Sequence, residues 1–378
     1  MAVFPCPFCR QLLQFEARTC QSCGHAVAYR PDADAFLFLD TEAGLWRGPD
    51  GNGLALRPCA NARYGACNWL VERDATEDRC RACRHNRIIP DLAVPGVLER
   101  WRKIEEAKRR LIRTLIRLGL PLENRVERPA DGLGFAFLYD RSAEQGRPPV
   151  LPTGHQGGIV TLNLIEADDV ARERIRREMG EPYRTLLGHF RHEVGHHYWS
   201  RLIERGPMLE GFRALFGDER QDYRAALSAH HARHRGAGAA TASETHVSDY
   251  ATAHPWEDFA ETFAHFLHIV DTLATLGEFG MGMDEPGLGE PAVDFDPYRA
   301  QTAVLAGRWI PFAFALNAIN RSMGQPDLYP FRLTPGVVVK LDFVNRMCAA
   351  ARGEPWPEEA SLAAMIATLG HAVEMPAD

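Results

Sequence analysis

The stretch 187–202, LGHFRHEVGHHYWSRL, decides how the chain is read, because it contains His192-Glu193-Val194-Gly195-His196. Leu187, Phe190, Val194, Tyr198 and Leu202 recur at steps of three and four, so the segment is expected to be a helix with an apolar back. Residues four apart on a helix share a face. Both imidazoles can therefore reach one zinc ion, while Glu193 points at the metal's open side.

A zinc that does chemistry has three protein ligands and keeps one position for water. The next segment able to supply the missing donor is HPWEDFAETFAHFLH, residues 254–268. Pro255 suits a first helical position, and Glu257 and Asp258 suit the first turn. Phe259, Phe263, Phe266 and Val270 form a packing face, and Glu257, Glu261, His265 and His268 line another. Glu257 is the expected ligand. Glu261 is the alternative, as ligand or as hydrogen-bond acceptor for a zinc-bound histidine. His265 and His268, like His189 and His197 beside the motif, are expected to be ordinary helix surface or satisfied core.

Working outward, the cysteines form a second pattern. Of nine in the chain, eight lie before residue 84, and Cys348 stands alone near the other end. Cys6, Cys9, Cys20 and Cys23 read as C-x2-C, ten residues, C-x2-C. Such pairs place thiolates on one tetrahedral ion. Cys59 and Cys67, followed by Cys80 and Cys83, make a looser second set, with His85 as an alternative ligand. Two structural zinc sites are expected, their metal being part of the folding energy of a small core. A disulfide framework is disfavoured, because the N-terminus MAVFPCPFCR has no secretory signal and the expected compartment is the reducing cytoplasm. Cys348 is expected to be a buried small hydrophobe.

The 378 residues are 46% hydrophobic and 25% charged, enough for a substantial core. The net charge of -7 argues against a protein that holds nucleic acid by bulk positive field. No apolar run approaches the ~18 residues of a membrane span, so no membrane association is expected. Composition divides the chain into a loop-rich ribbon module over residues 1–90 and a more helical domain over 91–378. Helix is expected from Pro95 to Gly119, its basic face (Arg100, Arg102, Lys103, Lys108, Arg109, Arg110, Arg113 and Arg117) solvated. Strands are expected at 134–139 and 158–164, and polar, glycine-bearing loops at 230–246 and 280–297. The fold class is α+β.

H-E-x-x-H followed by S-x-Y-A, a short gap and E-x-F-A-E resembles the gluzincin branch of zinc metallopeptidases. More narrowly, HVSDYATAHPWEDFAETFAHFLHIVDTL behind two cysteine sets resembles the bacterial zinc-binding metallopeptidase family that carries its own zinc-ribbon domain. The resemblance implies a zincin-like catalytic domain in which His192, His196 and Glu257 bind zinc and Glu193 is the general base. Tyr250 would sit near the substrate carbonyl. Together these readings lead to the expectation of one catalytic and two structural zinc ions, a peptide or protein substrate, and a protein partner recruited through the ribbons. The long separation of His196 from Glu257 departs from the best-known gluzincins and places an insertion over or beside the cleft. The alternative is a zinc-ribbon adaptor whose H-E-x-x-H domain is non-catalytic or latent.

Overall fold

Short strands and tight turns dominate the cysteine-rich region because Pro, Gly and Asp interrupt each apolar run. A computed structural model describes residues 3–140, 153–179, 184–234, 243–282 and 293–355. Strands β1 (Phe4–Pro5) and β2 (Leu12–Leu13) pair as a hairpin. A four-stranded antiparallel meander follows, made of β3 (Val27–Arg30), β4 (Ala35–Asp40), β5 (Leu45–Arg47) and β6 (Gly53–Leu54). A second hairpin joins β7 (Leu56–Pro58) to β8 (Leu70–Glu72). Phe4, Phe15, Tyr29, Phe36 and Trp69 are buried and meet ring to ring, at centroid distances such as 5.0 Å for Tyr29 and Trp69. That is a small core, as expected of a module that leans on metal.

The last strand of this region, β9 (Asn86–Ile88), joins a further four-stranded sheet with β10 (Gly134–Leu138), β11 (Gly154–Gln156) and β12 (Ile159–Asn163). Its order is β11-β12-β10-β9, with β10 parallel to both β9 and β12. Helix α1 (Val97–Leu118) buries Val97, Trp101, Ile104, Leu111, Leu115 and Leu118. Met1–Ile116 with Leu122–Arg172 forms one compact unit, and Arg117–Pro121 with Glu173–Asp378 forms the other.

The expectation of a solvated basic face on α1 fails for Lys108, Arg109 and Arg113, which are buried. Polarity fixes what a face needs, and here protein groups meet the need instead of water. Arg113 forks onto Asp34 at 2.7 and 2.8 Å. Arg109 donates to the Ala66 carbonyl. Lys108 bonds Asn86 and both oxygens of Glu105, at 2.8 and 2.9 Å for the latter.

The second unit is helical: α2 (Asp169–Met179, which begins in the first unit), α3 (Leu186–Tyr198), α4 (Leu209–Phe216), α5 (Tyr223–His234), α6 (Pro255–Glu278), α7 (Thr302–Ser322) and α8 (Pro335–Ala351). Helix α6 is buried almost all round, with Phe259, Phe263, Phe266, Leu267, Val270 and Leu273 inside, which makes it the core element. Phe216 packs its ring against Phe259 and Phe343 at 5.7 and 5.6 Å, tying α4 and α8 to it. A buried Asp258 and Lys340 ion pair adds a polar tie between α6 and α8.

Two expectations are corrected here. The loop expected at 230–246 does not include residues 230–234, because α5 continues through His234; residues 235–242 lie outside the described residues. The expectation of no span-length apolar segment also changes. By length and composition α7 is long and apolar enough to cross a membrane, Arg308 and the asparagines diluting its apolar character without outweighing it. Only 33% of its most apolar window is buried.

Candidate metal centres

The cysteines gather into two clusters: Cys6, Cys9, Cys20 and Cys23, and Cys59, Cys67, Cys80 and Cys83. Sulfur separations of 3.9 Å for Cys6 and Cys23, 3.6 Å for Cys9 and Cys20, and 3.6 Å for Cys67 and Cys80 decide their chemistry. A disulfide requires about 2.0 Å. Four thiolates around zinc at about 2.3 Å sit roughly 3.8 Å apart, which these separations match. All nine cysteines are free thiols. The second cluster is wholly buried, whereas Cys9 and Cys23 of the first are partly exposed. Burial opposes charge on Arg109, but the negative Cys67 and Cys83 outweigh it and raise its pKa. His85 lies outside the second cluster and places Nδ1 2.9 Å from the Leu133 carbonyl. Cys348 is fully buried.

The helical unit builds a centre of another kind. Thr185 caps α3, accepting from the Gly188 amide at 3.0 Å. Phe190, Val194 and Tyr198 face inward, as their spacing requires, and leave His192 and His196 on the partly open side. Helix α6 is capped by His254, whose Nδ1 accepts from the Trp256 amide at 3.1 Å, with Pro255 next. The two helices touch at Gly195 and Ala260. A Cβ built on Gly195 would stand 2.9 Å from the Ala260 Cα, so only glycine permits this approach. That closeness brings Glu257 on α6 to the histidines on α3.

His192 Nε2 lies 3.3 Å from His196 Nε2 and 3.0 Å from Glu257 Oε2, and His196 Nε2 lies 3.6 Å from the same oxygen. A tetrahedral ion with bonds of 2.0–2.1 Å separates its donors by about 3.3 Å. His192 Nδ1 is 2.7 Å from Glu261 Oε1, which fixes its proton on that side and turns the Nε2 lone pair towards Glu257. Glu257 Oε2 is buried and finds no hydrogen bond among the described residues. Lone pairs of two imidazoles and a carboxylate thus converge, an arrangement that fits a cation. Burial opposes charge on His192, yet Glu257 and Glu261 outweigh it and, with no ion bound, raise its pKa well above the usual imidazole range.

Glu193 is nearly buried and lies 3.2 Å from His189 Nε2. Burial alone would raise its carboxyl. The His189 hydrogen bond and the fields of His192 and His196 outweigh that and hold it below the usual range, so it is an anion at neutral pH. Tyr250 places its ring 5.9 Å from that of His192. Burial, reinforced by Glu257, pushes its phenol well above the ordinary value and keeps it a donor.

The structure therefore brings together His192, Glu193, His196, Glu257 and Tyr250, and it sets Glu261 behind His192 as acceptor. Three further residues join them. Tyr223 donates to Glu257 Oε1 at 2.6 Å, and Ser248 donates to Glu261 Oε2 at 2.6 Å. His189 holds Glu193 as described. Ser248 opens the S-x-Y-A pattern and His189 lies one helical turn before Glu193, so both had a local signal. Tyr223 had none. His265 is buried core, lying 2.7 Å from the Tyr329 hydroxyl, and His268 is half-buried and meets Arg191.

Comparison with known proteins places the chain in a family. A family model described as "Putative zinc-binding metallo-peptidase" matches residues 97–347, and a zinc-ribbon domain model matches residues 3–94. Uncharacterized proteins of Mycobacterium bovis and of Mycobacterium tuberculosis strain H37Rv are each 40% identical over 351 residues, covering 91% of this chain and 94% of theirs. No solved structure matches the chain.

Proposed function

We propose that this chain, which belongs to the zinc-binding metallo-peptidase family, hydrolyses peptide bonds at His192, His196 and Glu257 as a gluzincin-type enzyme. One ion would serve catalysis and two would sit in the cysteine clusters. The observation that carries the reading is the convergence of three buried or half-buried lone-pair donors beside an anionic Glu193.

When bound, the zinc supplies a Lewis acid that acidifies water and polarises a carbonyl. The protein's own groups do the rest. Glu193 takes the proton from the attacking water and returns it to the leaving amine nitrogen, with His189 keeping it ionised between turnovers. Tyr250 donates its hydroxyl to the oxygen that gains charge as the carbonyl becomes tetrahedral. Glu261, itself held by Ser248, locks His192 in the tautomer that presents Nε2. The ribbon module recruits the substrate or a protein partner, and the net charge of -7 makes nucleic acid the less suitable cargo.

The test is mass-spectrometric detection of new termini when a proteome-derived peptide library meets the zinc-loaded protein, with Glu193→Gln as control. Cleavage is expected only with the native protein, the variant keeping its metal and losing turnover by about 10²–10⁴-fold. Equal absence of new termini at full zinc content in both would favour the adaptor reading.

A further inference from the structure

The carboxylate of Glu257 has two oxygens, and they are treated differently. Oε2 faces the two imidazole nitrogens at 3.0 and 3.6 Å, while Oε1 accepts from the Tyr223 hydroxyl at 2.6 Å. We propose that Tyr223 is a positioning residue that commits Glu257 to bind the ion through Oε2 alone, which keeps a coordination position open for water. The inference rests on the reading that His192, His196 and Glu257 hold the ion.

Tyr223 is placed for this by the start of its helix. The Asp222 carboxylate caps α5 by accepting from the Ala225 amide at 3.0 Å. His254 Nε2 lies 3.3 Å from the Gln221 carbonyl, while its Nδ1 caps α6. One imidazole thus links the starts of the two helices that carry Tyr223 and Glu257, at their first and third residues. The Tyr223 ring is further fixed against His254 and Trp256 at centroid distances of 5.2 and 5.8 Å. A free carboxylate on a divalent ion can close onto it with both oxygens, as glutamates do on larger cations. A donor on Oε1 opposes that closure, so the segment between His196 and Glu257 completes the centre as well as lengthening the chain beside it.

Tyr223→Phe removes the hydroxyl and keeps the ring packing. The measurement uses full-length protein whose cysteine sites hold zinc and whose third site is refilled with cobalt(II). The variant is expected to bind that ion about 10–100-fold more weakly in competition with a chelator. Its cobalt absorption should weaken and shift as Oε1 approaches and the coordination number rises. In a Glu257→Ala background, which removes the acceptor, the same change should add no further loss, because Tyr223 acts through that carboxylate. Unchanged affinity with an unchanged spectrum, or losses that add in the double variant, would overturn the inference. Asp222→Ala, which loosens the helix start and leaves the hydroxyl, should move both readouts the same way by less. A native protein that takes up only two ions would instead overturn the ligand assignment itself.

Discussion

The cluster of Cys59, Cys67, Cys80 and Cys83 draws its donors from turns and strand ends that follow one another along the chain, and it buries all four sulfurs. The His192, His196 and Glu257 set draws them from two long helices, buries the carboxylate and leaves the imidazole side chains 13% and 17% exposed. One site is closed and soft, the other open on one side and mixed. The difference teaches that donor type and closure vary together: a tetrathiolate completes its ion and can only hold a fold, whereas two imidazoles and a carboxylate leave room for a reacting molecule.

The most decisive way to break that contrast is His192→Ala. It should remove one zinc of three, cut any hydrolysis by roughly 10³-fold or more, and leave the cysteine-bound ions in place, as read by metal analysis of the purified protein. Loss of every ion, or of none, would show that the sites are not separate.

A smaller effect sharpens the contrast between the two cysteine clusters. Cys67→Ser should destabilise the first unit by about 3–5 kcal/mol, because it removes the largest of the negative charges that offset the burial of Arg109. Cys6→Ser, in the partly exposed cluster, should cost less. Amide hydrogen exchange along α1 reports the difference, and equal protection in the two variants would deny Arg109 that role.

The smallest of the three effects concerns acid. His265 is buried in the helical unit, and burial lowers its pKa from an ordinary 6.5 to about 4. The unfolded chain therefore takes up a proton before the folded one does, and stability present above pH 6.5 is lost as the pH falls towards 4. The loss between pH 7 and pH 5 should be about 2 kcal/mol for this group. Chemical denaturation at the two pH values would measure it. His265→Asn should flatten the slope, and an unchanged slope would show that other groups set it.

What could be read from the sequence was what is local. H-E-x-x-H, the C-x2-C pairs and the capped start of α6 each lie within a few turns of chain, and periodicity or spacing translates them into geometry directly. Glu261 was legible only as an alternative to Glu257, because both share a helical face and only the approach of α3 chooses between them. Tyr223 could not be found that way, since its meaning is a hydrogen bond to a residue on another helix. Nor could the burial of Lys108, Arg109 and Arg113. Eight basic residues on one helix suggest solvent until the partners appear: a carbonyl, an aspartate and a glutamate, all supplied by other segments or another turn.

The contact between Gly195 and Ala260 carries one more consequence. Side-chain packing yields by repacking, but two backbones in contact have nothing left to give. The gap between the donor helices is therefore a hard stop, and the bite of the ligand set inherits its rigidity. Zinc bonds at 2.0–2.1 Å and calcium bonds at 2.3–2.6 Å differ by less than the width of a methyl group. A single hydrogen on Gly195, where any other residue would carry a carbon, sets how closely the two donor helices approach; on the proposed reading, that spacing suits a small ion.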